Sequence, residues 1–274
     1  MDYSYIRDSF NIANSHNYIL SLELSSDGFS IYITEKDFIK RPLYFFSRRF
    51  DNPGGFQRLI SELNNFHQFD NIKFHKSHII FHTPEFCLIP NELHSPENEA
   101  GFMNLSHPAD IQNMVCTSDI PSINAKVVFN IPDDINRLIE SKFSDFVLIH
   151  SISSSVNYGI KKSEKVCMIN HYGSSISITV FEDKNLKFFN VFSIHNHNDL
   201  IYYTLTILKN CDIKLPDVLL YFSGVKNKDS DDFLTLSGYI NNSVYFLPEL
   251  TDTEVLDFPT GLLFNHLENY YENN

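Results

Sequence analysis

LSLELSSDGFSIYI, residues Leu20 to Ile33, decides how this chain is read. Leu20, Leu22 and Leu24 alternate with Ser21, Glu23 and Ser25. That period of two sends alternate side chains to opposite faces of a strand. Ser26-Asp27-Gly28 interrupts the pattern, and Phe29, Ile31 and Ile33 resume it. Asp27-Gly28 suits a tight turn, so the stretch predicts a hairpin of two half-buried strands.

The pattern continues outward on both sides. Residues 18–24 and 29–34 are the hairpin strands, and 42–48 predicts a third strand. Asn52-Pro53-Gly54-Gly55 breaks the chain, and Leu59, Ile60, Leu63 and Phe66 then predict a helix over 56–69. A strand-rich stretch (72–90) leads into a polar, loop-like region (91–119) containing Pro96, Gly101 and Pro108. A strand (126–131), a helix opened by Pro132 and ending near 143, and a strand (146–150) follow. The second half repeats the order: strands at 166–170, 175–182 and 186–194, then a helix to about 210 capped by Asn198 or Asp199. VLLYFSG (Val218 to Gly224) predicts a buried parallel strand. A helix capped by Asp229 or Ser230, a short strand at 243–247 and a closing helix at 261–271 complete the chain. Two β-β-β-α-β-α-β-α patterns divide the chain into domains at 17–150, with an insert at 91–119, and 151–274.

Composition narrows the function classes. The net charge is −13, and the basic residues gather only at Arg41, Arg48 and Arg49. A nucleic-acid binder needs concentrated Lys and Arg to displace counterions, so that role is not expected; an anionic membrane surface would repel the chain as well. Cys87, Cys116, Cys167 and Cys211 form no C-x-x-C pair and read as buried free thiols of a cytoplasmic protein. The N-terminal MDYSYIRDSF has no apolar signal core, and no apolar run is long enough to span a membrane.

The duplicated pattern resembles the actin, sugar-kinase and heat-shock-chaperone ATPase superfamily, an α/β fold of two ribonuclease-H-like units. LELSSDGFS resembles that superfamily's first phosphate loop, INHYGSSISI (Ile169 to Ile178) its second, and VLLYFSG its adenosine-contacting strand. With FCLIPNEL (Phe86 to Leu93), the opening stretch also resembles an uncharacterised bacterial family, domain of unknown function 3822. The resemblance implies ATP with magnesium as cofactors. It places Glu23, Ser25, Ser26, Asp27 and Gly28 in one loop, Asn170, Gly173, Ser174 and Ser175 in the other, and Ser223 and Gly224 at the adenosine motif.

The residues depart from what such a site requires. Two hairpin tips must bring backbone N–H groups close to phosphate, which glycine permits, and carboxylates must organise Mg²⁺. Ser25 stands where glycine is expected. Asn170 replaces a carboxylate, His171 and Tyr172 add bulk, and the chain has only 9 Gly. The expectation is a degenerate nucleotide site, with no catalytic and no metal-ligating residues, in a non-catalytic scaffold or interaction module with an unidentified protein partner and an open oligomeric state. The alternative is an active ATPase or phosphotransferase binding Mg·ATP between the two domains, using Glu23 and either Glu182 or Asp183.

Other constellations read as structural. His195-x-His197-x-Asp199 has metal-ligand spacing, but its position favours a polar strand-to-helix junction. His75, His78 and His82 read as exposed strand histidines. Asp133-Asp134 and Asp231-Asp232 sit in first helical turns, where they complement the helix dipole. No G-x-S-x-G, P-loop or G-x-G-x-x-G motif occurs.

Overall fold

The β2–β3 hairpin forms where the alternation predicts it: β2 (Tyr18–Ser25) pairs antiparallel with β3 (Gly28–Glu35), Glu23 opposite Ser30. In the computed structural model, which describes residues 2–50, 55–107, 113–162, 164–251 and 258–269, these strands are centred in the first of two compact units, 1–151 and 152–274. Both strands are buried at nearly every position, so Ser21, Glu23, Ser25, Ser30 and Thr34 are enclosed along with the leucines.

Strand β1 (Asp2–Ile6) precedes the hairpin; β4 (Pro42–Arg49), α1 (Gly55–Asn64), β5 (Lys76–Phe81), β6 (Phe86–Pro90), α2 (Glu99–Ser106), β7 (Asn113–Ile120), β8 (Ala125–Pro132), α3 (Asp133–Lys142) and β9 (Val147–His150) follow it. A six-stranded sheet runs β1-β4-β3-β2-β5-β9, with β5 parallel to both β2 and β9. Leu22 and Ile31 share a small apolar cavity with Leu63, Phe66, Leu138 and Ile139, so α1 and α3 cover that face. Helix α3 carries Asp133 and Asp134 in its first turn and Lys142 in its last, matching its dipole at both ends. Lys142 also bonds Asp70 at 2.6 Å.

Unit 2 contains α4 (Ile152–Gly159), β10 (Lys165–His171), β11 (Ser175–Glu182), β12 (Asn185–Ser193), α5 (His197–Asn210), β13 (Val218–Gly224), α6 (Asp231–Tyr239), β14 (Ser243–Tyr245) and α7 (Phe264–Glu268). Its sheet runs β12-β11-β10-β13-β14. That is the order β4-β3-β2-β5-β9 over again, position for position. The core joins Ile169, Ile178 and Val180 to Leu200, Leu208, Leu220, Phe222 and Leu236.

Several expectations change. Region 91–119 is not a loop: its described residues hold α2 and β7, and β7 lies at an edge of a three-stranded sheet β6-β8-β7. Helix α1 stops at Asn64, short of the expected residue 69. The closing helix begins as a 3₁₀ turn at Thr260–Leu263 and continues as α7 to Glu268. Asn52, Pro53, Gly54, Pro108 and the last residues of that closing helix lie outside the described residues. Strand β1 and helix α4 carry no period that the sequence reading detected. His78 and His82 are buried, 1% and 3% exposed; His75 is exposed. Among the described residues no helix is long and apolar enough to cross a membrane.

Candidate functional site

The first hairpin gathers its expected residues at one tip. The last cross-strand pair is Ser25 with Gly28, so Ser26 and Asp27 are the central turn residues. Ser25 Oγ accepts from Asp27 N at 3.3 Å and donates to the Gly28 carbonyl at 3.2 Å. The Asp27 carbonyl accepts from Phe50 N at 2.8 Å. Gly28 has φ +142°, and a Cβ there would overlap the Arg48 carbonyl oxygen. The close approach that requires glycine is made by this chain's own strand β4.

Glu23 lies inside, 2% exposed. Ser30 Oγ donates to its carboxylate at 3.2 Å, and an Arg49 guanidinium nitrogen stands 3.9 Å away. Arg49 also reaches Ser25 Oγ at 3.4 Å. A carboxylate enclosed with an arginine is neutralised locally.

The second hairpin gathers Asn170, Gly173, Ser174 and Ser175 beside Ser223 and Gly224. Strands β10 and β13 run parallel, with Asn170 opposite Ser223 and His171 opposite Gly224. Asn170 Nδ2 donates to Tyr172 Oη at 2.9 Å, and Asn265 Nδ2 donates to the same oxygen at 2.8 Å. Tyr172 is 2% exposed, so its ring fills the base of the loop. Gly173 N–H donates to His171 Nδ1 at 3.1 Å. The Ser174 and Ser175 carbonyls accept from Ile194 and Tyr172, and Ser223 Oγ donates to the Ile169 carbonyl at 3.3 Å. Gly224, φ +102°, makes room for the His171 backbone.

Beside this hairpin opens a cleft of about 660 Å³, which the sequence reading did not find. Asp232, in the first turn of α6, is part of its lining. Asp232 accepts from His197 Nδ1 at 2.6 Å and lies 3.4 Å from His171 Nε2 and 3.8 Å from Lys226 Nζ. Because His171 Nδ1 accepts from Gly173, Nε2 carries that ring's proton and faces the carboxylate. The His171 hydrogen bond foremost, then His197 and Lys226, holds the Asp232 carboxyl well below the usual carboxylate range, against the opposing effect of burial. Asp232 therefore does more than complement a helix dipole: it ties the hairpin tip to the starts of two helices. The HxH motif flags His197, but no local signal links position 197 to position 232.

The HxHxD spacing resolves into a cap. Asp199 accepts from His195 N at 2.7 Å and Asn196 N at 3.2 Å, and Asn196 is the N-cap of α5. Among the described residues no cluster of three or more His, Cys, Asp or Glu is placed to hold a metal ion.

The profile of a family described as "Protein of unknown function (DUF3822)" matches residues 7–243. No curated protein sequence matches the chain. A Bacteroides thetaiotaomicron protein described as having an actin-like ATPase fold and unknown function is similar in structure, at 19% identity and TM-score 0.74. The match covers 89% of this chain and 95% of that one. A chain of the PilM-PilN type IV pilus biogenesis complex is similar at 11% identity and TM-score 0.55, covering 92% of this chain and 98% of its own.

Proposed function

The chain belongs to the DUF3822 family and has the actin-like ATPase fold, and from that premise we propose that it is a non-catalytic protein-interaction module with a degenerate nucleotide site. The observation that carries this reading is the burial of Glu23 with Arg49 at 3.9 Å. The one carboxylate suitably placed in the first hairpin to organise Mg²⁺ is already balanced by a guanidinium, and the corresponding second-loop position is the neutral Asn170. The donors that would face phosphate are also engaged internally: Asp27 N by Ser25 and Gly173 N by His171. On this reading the residues present do not fit Mg·ATP.

Assembly with another protein is supported by the fold likeness to a chain solved in the PilM-PilN complex. A reducing, cytoplasmic setting is supported by the thiols: burial pushes Cys116 up to about 11 and Cys167 up to about 12, which keeps them protonated and inert.

Thermal unfolding with Mg·ATP tests the reading. A single site occupied at a hundred times its dissociation constant adds about 2.7 kcal/mol of stability. No change in Tm at millimolar Mg·ATP is expected. A rise that disappears in Glu23→Ala would overturn the degenerate-site reading by showing that Mg·ATP binds through Glu23.

A further inference from the structure

The two sheets share one strand order and differ at one edge. In unit 1 the outer side of β4 is taken by β1, which runs antiparallel from Asp2 opposite Arg48 to Ile6 opposite Tyr44. In unit 2 the corresponding strand is β12, and among the described residues no strand lies beyond it. Such an edge is a template for another strand.

Pairing fixes which residues of β12 face outward. Ile194 N donates to the Ser174 carbonyl at 2.8 Å, so residue 194 points its backbone toward β11. Alternate residues of an antiparallel strand point the other way, which turns Val191 and Ser193 away from the sheet. Val191 N donates to the neighbouring Asn190 Oδ1 at 2.8 Å, a side-chain contact where a further strand would supply a carbonyl. Natural edges are blunted by charge, proline, bulges or brevity. On β12 the bulge and the one charged residue, Lys187, both lie near the strand's start. From Phe188 to Ser193 the edge carries no charge and no proline.

Phe188, Asn190 and Phe192 share the face that packs toward α5, opposite Val180, Ile178 and Ile176. Phe188 stacks on Phe192 at 6.2 Å, and Phe192 on Tyr203 at 4.5 Å. The repeat shows what such an edge accepts. Ser30 lies opposite Glu23 and Ser47, and Ser177 opposite Asn170 and Val191, so Phe192 corresponds to Arg48. In unit 1 the covering strand meets Arg48 with Asp2, at 2.9 Å. A strand covering β12 must instead bring an apolar or aromatic residue to Phe192.

β12 itself meets that demand. Two β12 strands placed antiparallel about a two-fold axis at Asn190 set Phe188 opposite Phe192, Phe189 opposite Val191 and Lys187 opposite Ser193. Aromatic meets aromatic, outward residue meets outward residue, and no like charges are opposed, which is the self-complementarity a two-fold interface needs. We propose that two copies of the chain associate through β12, extending the sheet of unit 2 across that axis. The net charge of −13 on each copy opposes association, so salt strengthens the dimer by screening the repulsion. The pairing is independent of whether a nucleotide binds.

Sedimentation velocity of the full chain tests this over about 5 to 500 µM, a range suited to a small interface. The average mass rises with concentration toward twice that of the monomer, and more steeply in high salt. Asn190→Lys and Asn190→Asp each set like charges against each other at the axis and weaken association roughly ten-fold or more, while an equimolar mixture of the two restores it. Val244→Lys, on the opposite edge strand β14, leaves it unchanged. Unchanged urea midpoints show that these variants are folded. Asn190→Cys gives a second reading that introduces no charge: oxidised glutathione links the two copies at position 190, located by peptide mass spectrometry. A chain that stays monomeric throughout overturns the proposal. So does a dimer that ignores the Asn190 charges, one that Val244→Lys disrupts, a mixture that fails to reassociate, or the absence of a 190–190 link.

Discussion

At Gly28 the backbone holds φ +142° against the Arg48 carbonyl. An alanine there is strained in its backbone and collides with a neighbouring main chain. Gly28→Ala should lower stability by about 1–3 kcal/mol in chemical denaturation; a loss within experimental error would show that β4 can move aside. Glu23 and Arg49 form the other residue-scale test. Arg49→Leu leaves a carboxylate buried without its guanidinium and should cost about 3 kcal/mol or more. Adding Glu23→Gln removes the stranded charge and should restore part of that loss, measured as a double-mutant cycle. The sequence marks Glu23 and Gly28 as special, but it does not say that their demands are met inside the chain. Arg49 lies 26 positions from Glu23, and only strand pairing brings the two together.

The elements show why some boundaries were legible and others were not. Helix α5 was expected with Asn198 or Asp199 as its cap. The structure moves the cap to Asn196, whose side chain accepts from Asn198 N at 2.9 Å, while Asp199 reaches back to the cap's own N–H. Both polar residues act at the helix start, in reciprocal roles one turn apart. Asn196→Ala should cost about 1 kcal/mol in chemical denaturation, with no change in the His171–Asp232 contact by ring NMR. The helical spacing that ran past Asn64 belongs to Phe66 and Phe69, which continue to face the same aromatic cluster from a turn, with Phe66 against Phe29 and Phe69 against Tyr44. A shared hydrophobic target imitates helical period after the helix has ended. Strand β7 was missed for the opposite reason. It is an edge strand with Cys116 and Ile120 as its buried residues, and its apolar and polar side chains fall in runs with no period of two.

Across the whole molecule, buried histidines set the response to acid. Burial lowers His78 and His150 to about 4, and His82 lies well below its ordinary value of 6.5, pushed first by burial and then by His150 and Arg49. Each folded-state value is below its unfolded one, so the unfolded chain binds more protons as pH falls through 6.5. Stability is complete above that pH and declines toward pH 4, at up to about 1.4 kcal/mol per pH unit for each histidine. Asp232 is lowered as well, and its contribution is present above its unfolded value of 3.8 and is lost only in stronger acid. Urea midpoints at pH 7.5, 6 and 5 should fall monotonically, and the loss should report on unit 1, which contains all three histidines. A midpoint independent of pH over that range would show that the folded state takes up protons at these rings as readily as the unfolded chain.

Taken alone, the sequence determined the order of the repeated strands and helices in both units, though not β1, α2, β7 or α4, because hydrophobic period is a local property written into adjacent residues. It also placed a residue that is neutral in any fold, Asn170, where the family resemblance implies a carboxylate. The tertiary structure alone decided what the remaining polar groups do. Pairing β3 with β4 put Arg49 on Glu23. Running β13 parallel to β10 and setting α6 after it brought Asp232 between His171 and His197, beside a cleft that no single segment lines. Such contacts join residues dozens of positions apart, and their energies depend on burial, which exists only once the chain has folded.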